Sequence, residues 1–146
     1  MKKVFGFTLI ELLIVIAIIT ILAGVVIVAL NPARQFAQAR NTQRWSNINT
    51  ILNAVAQRIS DNRGIWDSSC KTSTVSLPST AANIGTNNGL INLEPCLVPE
   101  YIAGMVVDPL NGTTADTNYS IVQNEKGKIT ISAPTAELGE AIAVSR

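Results

Sequence analysis

No histidine occurs in this 146-residue chain, aromatic residues make up 5% of it and charged residues 14%. Without imidazole, a catalytic thiol has no neighbouring base, and two cysteines alone do not make a tetrahedral zinc site. There is also no glycine-rich phosphate loop and no nucleophile elbow, so no enzyme signature is found and no cofactor is expected. The net charge is only +1, and no cluster of Lys and Arg interleaved with aromatics offers a specific surface to nucleic acid. The chain is instead apolar. Hydrophobic residues reach 47%, too many for a disordered chain and enough for one modest domain.

That apolar content is concentrated near the start. From Leu12 to Leu30 only Thr20 and Gly24 fall outside the aliphatic set. A helix over residues 7–30 would be about 36 Å long at about 1.5 Å per residue, enough to cross a bilayer. As a buried core helix it would need more surrounding chain than the remainder supplies. As a cleaved secretory signal it is too long, since such a core normally covers about 7 to 15 residues. The segment reads as a retained anchor. Lys2 and Lys3 favour a cytoplasmic start with the C-terminal part outside, while Arg34, Arg40 and Arg44 pull the other way.

Glu11 is the anomaly in this run, because a lone carboxylate in a bilayer costs on the order of 2 to 3 kcal/mol, less near a helix end. The stretch Gly6-Phe7-Thr8-Leu9-Ile10-Glu11-Leu12-Leu13 resembles the processing motif of type IV pilins and type II secretion pseudopilins. The resemblance covers residues 1 to about 30 and carries over Gly6, Phe7 and Glu11 as motif positions. It implies cleavage after Gly6 by a prepilin peptidase on the cytoplasmic side and methylation of the new Phe7 amine. It also implies assembly with identical or related pilin subunits on an inner-membrane platform, after a stage in membrane lipid. The implied location is a single-pass inner-membrane protein whose C-terminal domain lies outside, and then a surface or periplasmic filament. Electrostatics point the same way. A charged amine on Phe7 would lie one helical turn from Glu11, and if the partner amine belongs to a neighbouring subunit, the pair sets axial register much as one buried polar residue does in coiled coils. The competing reading is an acid resting at the headgroup boundary.

After the apolar run, Asn31-Pro32 interrupts the pattern, since proline lacks a backbone donor and disfavours helical geometry before it. Many type IV pilins place a proline earlier; here none lies between Phe7 and Asn31. Helical spacing resumes in Trp45, Ile48, Ile51, Leu52, Val55 and Ile59, with Arg34, Arg40, Arg44, Asn47, Gln57 and Arg58 largely elsewhere. This predicts one long helix, kinked or loosened around Gly24 to Pro32 and ending near residues 61–64.

From Ile65 to Pro99 the composition turns to Ser, Thr, Asn, Gly and Pro, which reads as an irregular loop with at most short strands such as Leu90–Leu93. Cys70 and Cys96 lie in it. An oxidising exterior favours a disulfide between them, and two free thiols are the alternative in a reducing habitat. Alternation then predicts strands over Ile102–Val107, Asn118–Gln123 and Lys128–Ala133, the last two joined by the turn at residues 124–127. Their apolar faces need cover, and the stripe led by Trp45 and Ile48 can supply it.

The fold expected is α+β and pilin-like: a long N-terminal helix, its first half membrane-spanning, packed against a small antiparallel sheet. The division is 1–6 leader, 7–30 transmembrane or filament-core helix, 31–63 amphipathic continuation and 64–146 outer globular domain. Asp108 and Asp116 loosely resemble the acidic loop with which some pseudopilins hold calcium, but Asp-Pro and Asn-Gly are routine turn formers, and calcium wants six or more oxygens. The turn reading is preferred and no metal is expected. Residues 31–63 carry five Arg and one Asp, while residues 64–146 carry four basic and eight acidic side chains. The basic helix of one subunit would then face the acidic domain of another, or both are solvated faces; the arginines nearest the apolar run would otherwise meet anionic lipid. The function expected is a structural, non-enzymatic filament subunit: a pilin, a secretion pseudopilin or a competence-type pilin. The alternative from another class is a signal-anchored envelope binding protein that never polymerises.

Overall fold

The structure is a computed structural model describing residues 6–146. Lys2 and Lys3, which carry the orientation argument, lie outside the described residues. The chain divides into two compact units, Met1–Phe36 and Ala37–Arg146.

The first unit holds helix α1, Leu9–Leu30, none of whose residues is buried. Its aliphatic side chains point outward on every side. Thr20, also exposed, donates its hydroxyl to the Ile16 carbonyl at 2.7 Å, one turn back, so its polar group is met within the helix. α1 passes through Gly24 without a break and stops at Asn31, whose backbone is left-handed with φ 42° and ψ 78°. A second helix, α2, then begins at Pro32 and runs to Asp61. The expected continuous helix is therefore two helices, and the interruption falls at the Pro32 end of the interval. Proline is well placed as a first helical residue, where its missing N–H goes unused, and asparagine tolerates the left-handed region that ends the preceding helix.

In the second unit α2 packs against a four-stranded antiparallel sheet in the order β1-β2-β3-β4, made of Ala82–Asn83, Ser120–Gln123, Ile129–Ala133 and Ile142–Ser145. The expectation of an α+β fold is borne out. β2 and β3 pair with Ile121 opposite Ile131 and Gln123 opposite Ile129. Their turn is closed by Asn124, whose side-chain carbonyl accepts from the Lys126 and Lys128 amides at 3.1 and 2.8 Å. Ile48, Ile51, Leu52 and Val55 of α2 join Tyr119, Ile121, Ile129, Ile131 and Ile142 in one core. Each such aliphatic side chain, fully buried, contributes about 1.5–3 kcal/mol.

The buried face of α2 keeps Ile48, Ile51, Leu52 and Val55 of the expected stripe and extends beyond it. Trp45 is 38% exposed, whereas Arg44, Asn47 and Arg58, expected on the polar side, are buried. The strand expected over Ile102–Val107 does not form. There the Asn47 amide donates to the Val107 carbonyl at 3.0 Å and to the Tyr119 hydroxyl at 2.9 Å. A helix side chain supplies the partner that a neighbouring strand would have supplied.

Cys70 and Cys96 are joined in a disulfide. It ties the irregular segment to the short helix α3, Glu94–Leu97, and the entropy of the closed loop is worth about 3 kcal/mol. Arg58 reinforces this tie. Its guanidinium donates to the Asp67, Ser69 and Cys96 carbonyls at 3.0, 2.9 and 3.1 Å and lies 5.4 Å from the centre of the Trp66 ring. Buried charge is tolerated here because all three guanidinium nitrogens donate to carbonyls, with the Asp67 carboxylate at 3.7 Å and the Trp66 ring beside it.

Candidate assembly surface

Thr8 caps α1 and fixes Glu11. The Thr8 backbone is extended, with φ −83° and ψ 152°, and its hydroxyl oxygen accepts from the Glu11 amide at 3.3 Å. In return Glu11 Oε2 accepts from the Thr8 amide at 2.8 Å and from its hydroxyl at 2.7 Å. This reciprocal capping box satisfies helix-end donors that a bilayer would leave unmet, and the helix N-terminus favours the carboxylate. Sequence reasoning singled out Glu11 and missed Thr8. The signal was present, because Thr8-Leu9-Ile10-Glu11 has the spacing of a capping box directly before an apolar run.

Both oxygen-directed bonds use Oε2, and among the described residues Oε1 accepts none. Phe7 is 78% exposed, and a side chain added at Gly6 would meet no atom within 4 Å. Nothing among the described residues sterically requires glycine there.

In the second unit the sequence-predicted charges converge. Arg44, fully buried, donates from Nε to Asp108 Oδ2 at 2.6 Å and from Nη1 to Glu137 Oε2 at 2.7 Å. Arg40 grips the other side of Glu137, with Nη2 at 2.6 Å from Oε1. Asn41 completes the arrangement. Its amide nitrogen donates to the Glu137 carbonyl at 2.8 Å and its oxygen accepts from the Glu137 amide at 3.0 Å, pairing with that backbone as a strand would. The arginines expected to present a basic face to lipid or a neighbour thus meet acids of their own chain; Arg34 stays exposed.

Asp108 and Asp116 use their carboxylates on different partners. Asp108 is held by Arg44, by the Leu110 amide at 2.9 Å and by the Thr135 hydroxyl at 3.0 Å, whereas Asp116 accepts from the Asn118 amide at 3.0 Å. Among the described residues no three acidic, cysteine or histidine side chains are arranged to hold a metal. A guanidinium already fills the cationic position at Asp108. Gly112 is required by this turn, because a Cβ there would collide with the Asp108 backbone.

Burial pushes the Asp108 carboxyl up, but the Arg44 guanidinium and the two loop amides outweigh it and hold the group below its ordinary value. Arg40 and then Arg44 lower Glu137 to about 2 from 4.5. A folded-state value below the unfolded one means stability that is present at neutral pH and lost as pH falls through the folded value. The urea midpoint should therefore decline as pH drops from about 4.5 towards about 2. Glu137→Gln should flatten much of that decline, and an unchanged slope in the variant would remove Glu137 from the account.

Residues 1–27 match the family model of the prokaryotic N-terminal methylation motif, the signature of type IV pilins and pseudopilins. The motif is that of a structural, non-enzymatic class of precursor, and with the apolar α1 it fits a membrane-anchored envelope protein. No curated protein and no solved structure matches the chain.

Proposed function

We propose that the chain is a structural subunit of a type IV filament, cut after Gly6 by prepilin peptidase, methylated at Phe7 and polymerised through α1. The observation that carries this reading is α1 itself: a 22-residue aliphatic helix with no buried residue, opened by a capping box that involves the motif acid. An entirely apolar surface needs lipid first and other helices later. Burial passes from one apolar medium to another, so close helix packing and the Glu11 charge must decide register.

Gly6 supports the cleavage step. A residue without a side chain lets an outside partner such as a peptidase approach the backbone closely, and among the described residues nothing crowds this position. Glu11 supports the assembly step: with Oε2 held by Thr8, Oε1 can receive the Phe7 amine of a neighbouring subunit. Arg40, Arg44, Arg58 and Lys71 are paired with acids of their own chain, so the basic side of α2 is largely used internally and the filament contact falls to α1 and to other features of the domain surface.

Fibres sheared from cells that make the chain together with its assembly machinery should contain it. A chain found in membranes but in no fibre would favour the signal-anchored binding protein. Pilus, secretion and competence roles share the same motif and this same physical description.

A further inference from the structure

The turn between β3 and β4 presents a leucine where local chemistry disfavours one. Leu138 and Gly139 both have positive φ, 60° and 72°, and the Glu140 amide donates to the Glu137 carbonyl at 3.2 Å across them. Two consecutive positive φ values are the pattern of a type I′ turn, whose first central position suits Asn, Asp or Gly. A leucine there is strained, and 50% of its surface is exposed, so burial within the chain does not account for it. The turn is nevertheless firmly held. Asn41 pairs with both backbone groups of Glu137, and Arg40 and Arg44 clasp its carboxylate. Strain maintained by its surroundings points to a use for the strained residue.

A complementary feature lies elsewhere on the same unit. A groove of about 280 Å³ is lined by Leu52, Val55, Ala56, Ile59 and Ile129, and the one charged residue in its lining, among the described residues, is Arg146. Asn41, which holds the leucine turn, and Ala56 of the groove are both on α2, about 22 Å apart at about 1.5 Å per residue. The leucine cannot fill the groove of its own chain. We propose that Leu138 of one copy of this chain seats in the α2–β3 groove of the next, with exposed Glu140 facing Arg146.

Two points argue for a second copy as the occupant. The groove is apolar and far larger than a leucine side chain needs, and the acid beside the knob matches the base in the groove. A knob and a pocket at different places on one subunit make a head-to-tail contact, which closes into a ring or continues as a helical fibre. Their separation along α2 offsets successive copies along that helix. The proposal rests on the filament reading above, to which it adds an interface on the outer domain.

The test uses the full chain in cells that assemble it, with wild-type fibres counted first by electron microscopy. Leu138→Cys combined with Ala56→Cys, under mild oxidation, should give a ladder of linked species beyond the dimer, and neither single variant should. Wild-type fibres without a ladder from the double variant would overturn the interface and leave the filament reading intact. Absence of wild-type fibres would overturn both. Leu138→Asn supplies a second measure, since asparagine suits the turn but removes the apolar knob. Fibre yield should fall roughly tenfold while the thermal midpoint stays equal or rises; an unchanged yield would also overturn the proposal.

Discussion

Glu11→Gln is expected to leave processing and helix formation intact while lowering fibre yield by at least about tenfold, the equivalent of losing about 1.4 kcal/mol per contact. The choice of glutamine separates two roles that alanine would remove together. A glutamine at the third helical position can still accept from the Thr8 amide, so the capping box that starts α1 is preserved. Only the negative charge is lost. A carboxylate in an apolar core is costly unless an opposite charge meets it, and that dependence is what would make it a register device. Glu11→Ala should fail to assemble as well, with weaker helix initiation besides. If the glutamine variant assembled at wild-type yield, Glu11 would be a helix cap and nothing more.

The second large effect belongs to Asp108. Asp108→Ala would leave the Arg44 guanidinium buried with one of its two carboxylate partners gone. Removing one partner of a buried pair typically costs about 3–5 kcal/mol; Glu137 still meets the guanidinium, but the Leu110 amide and the Thr135 hydroxyl also lose their acceptor. In a unit of this size that should lower the thermal midpoint by more than about 10 °C. Replacing both members, Arg44→Met with Asp108→Leu, should recover part of the loss, since no under-matched guanidinium remains buried while the loop amides stay without Asp108. Thermal unfolding of the two variants beside the wild type decides the matter. A single variant as stable as the wild type would mean that the pair is solvated or dispensable.

The membrane-length helix was legible because its signal is compositional: nineteen residues from Leu12 to Leu30 with only Thr20 and Gly24 outside the aliphatic set need no tertiary information. The hairpin of β2 and β3 was equally readable from alternation on either side of Asn124–Gly127. The buried face of α2 was legible only in part, through Ile48, Ile51, Leu52 and Val55. Spacing chose Trp45 and rejected Arg44 and Arg58, whereas the fold buries both arginines because carboxylates and carbonyls distant in sequence converge on them. No local rule carries that information. The strand expected over Ile102–Val107 does not form, and at its end the Val107 carbonyl accepts from the Asn47 side chain, another partner distant in sequence. β4 was passed over because Ile142–Ser145 is only four residues long and directs one large side chain into the core. At the candidate site, Glu11 was found from its misfit with its surroundings. Thr8 was overlooked because its role is reciprocal with Glu11, and Glu137 because its partners lie almost a hundred residues away on α2.

In the mature protein α1 is expected to be kept and the residues before Phe7 removed. N-terminal mass spectrometry of the mature chain, recovered from membranes or fibres, tests it most directly. The prediction is a chain that begins at Phe7 with a methylated amine. A chain that retains Met1, or one that begins beyond Leu30, would contradict it.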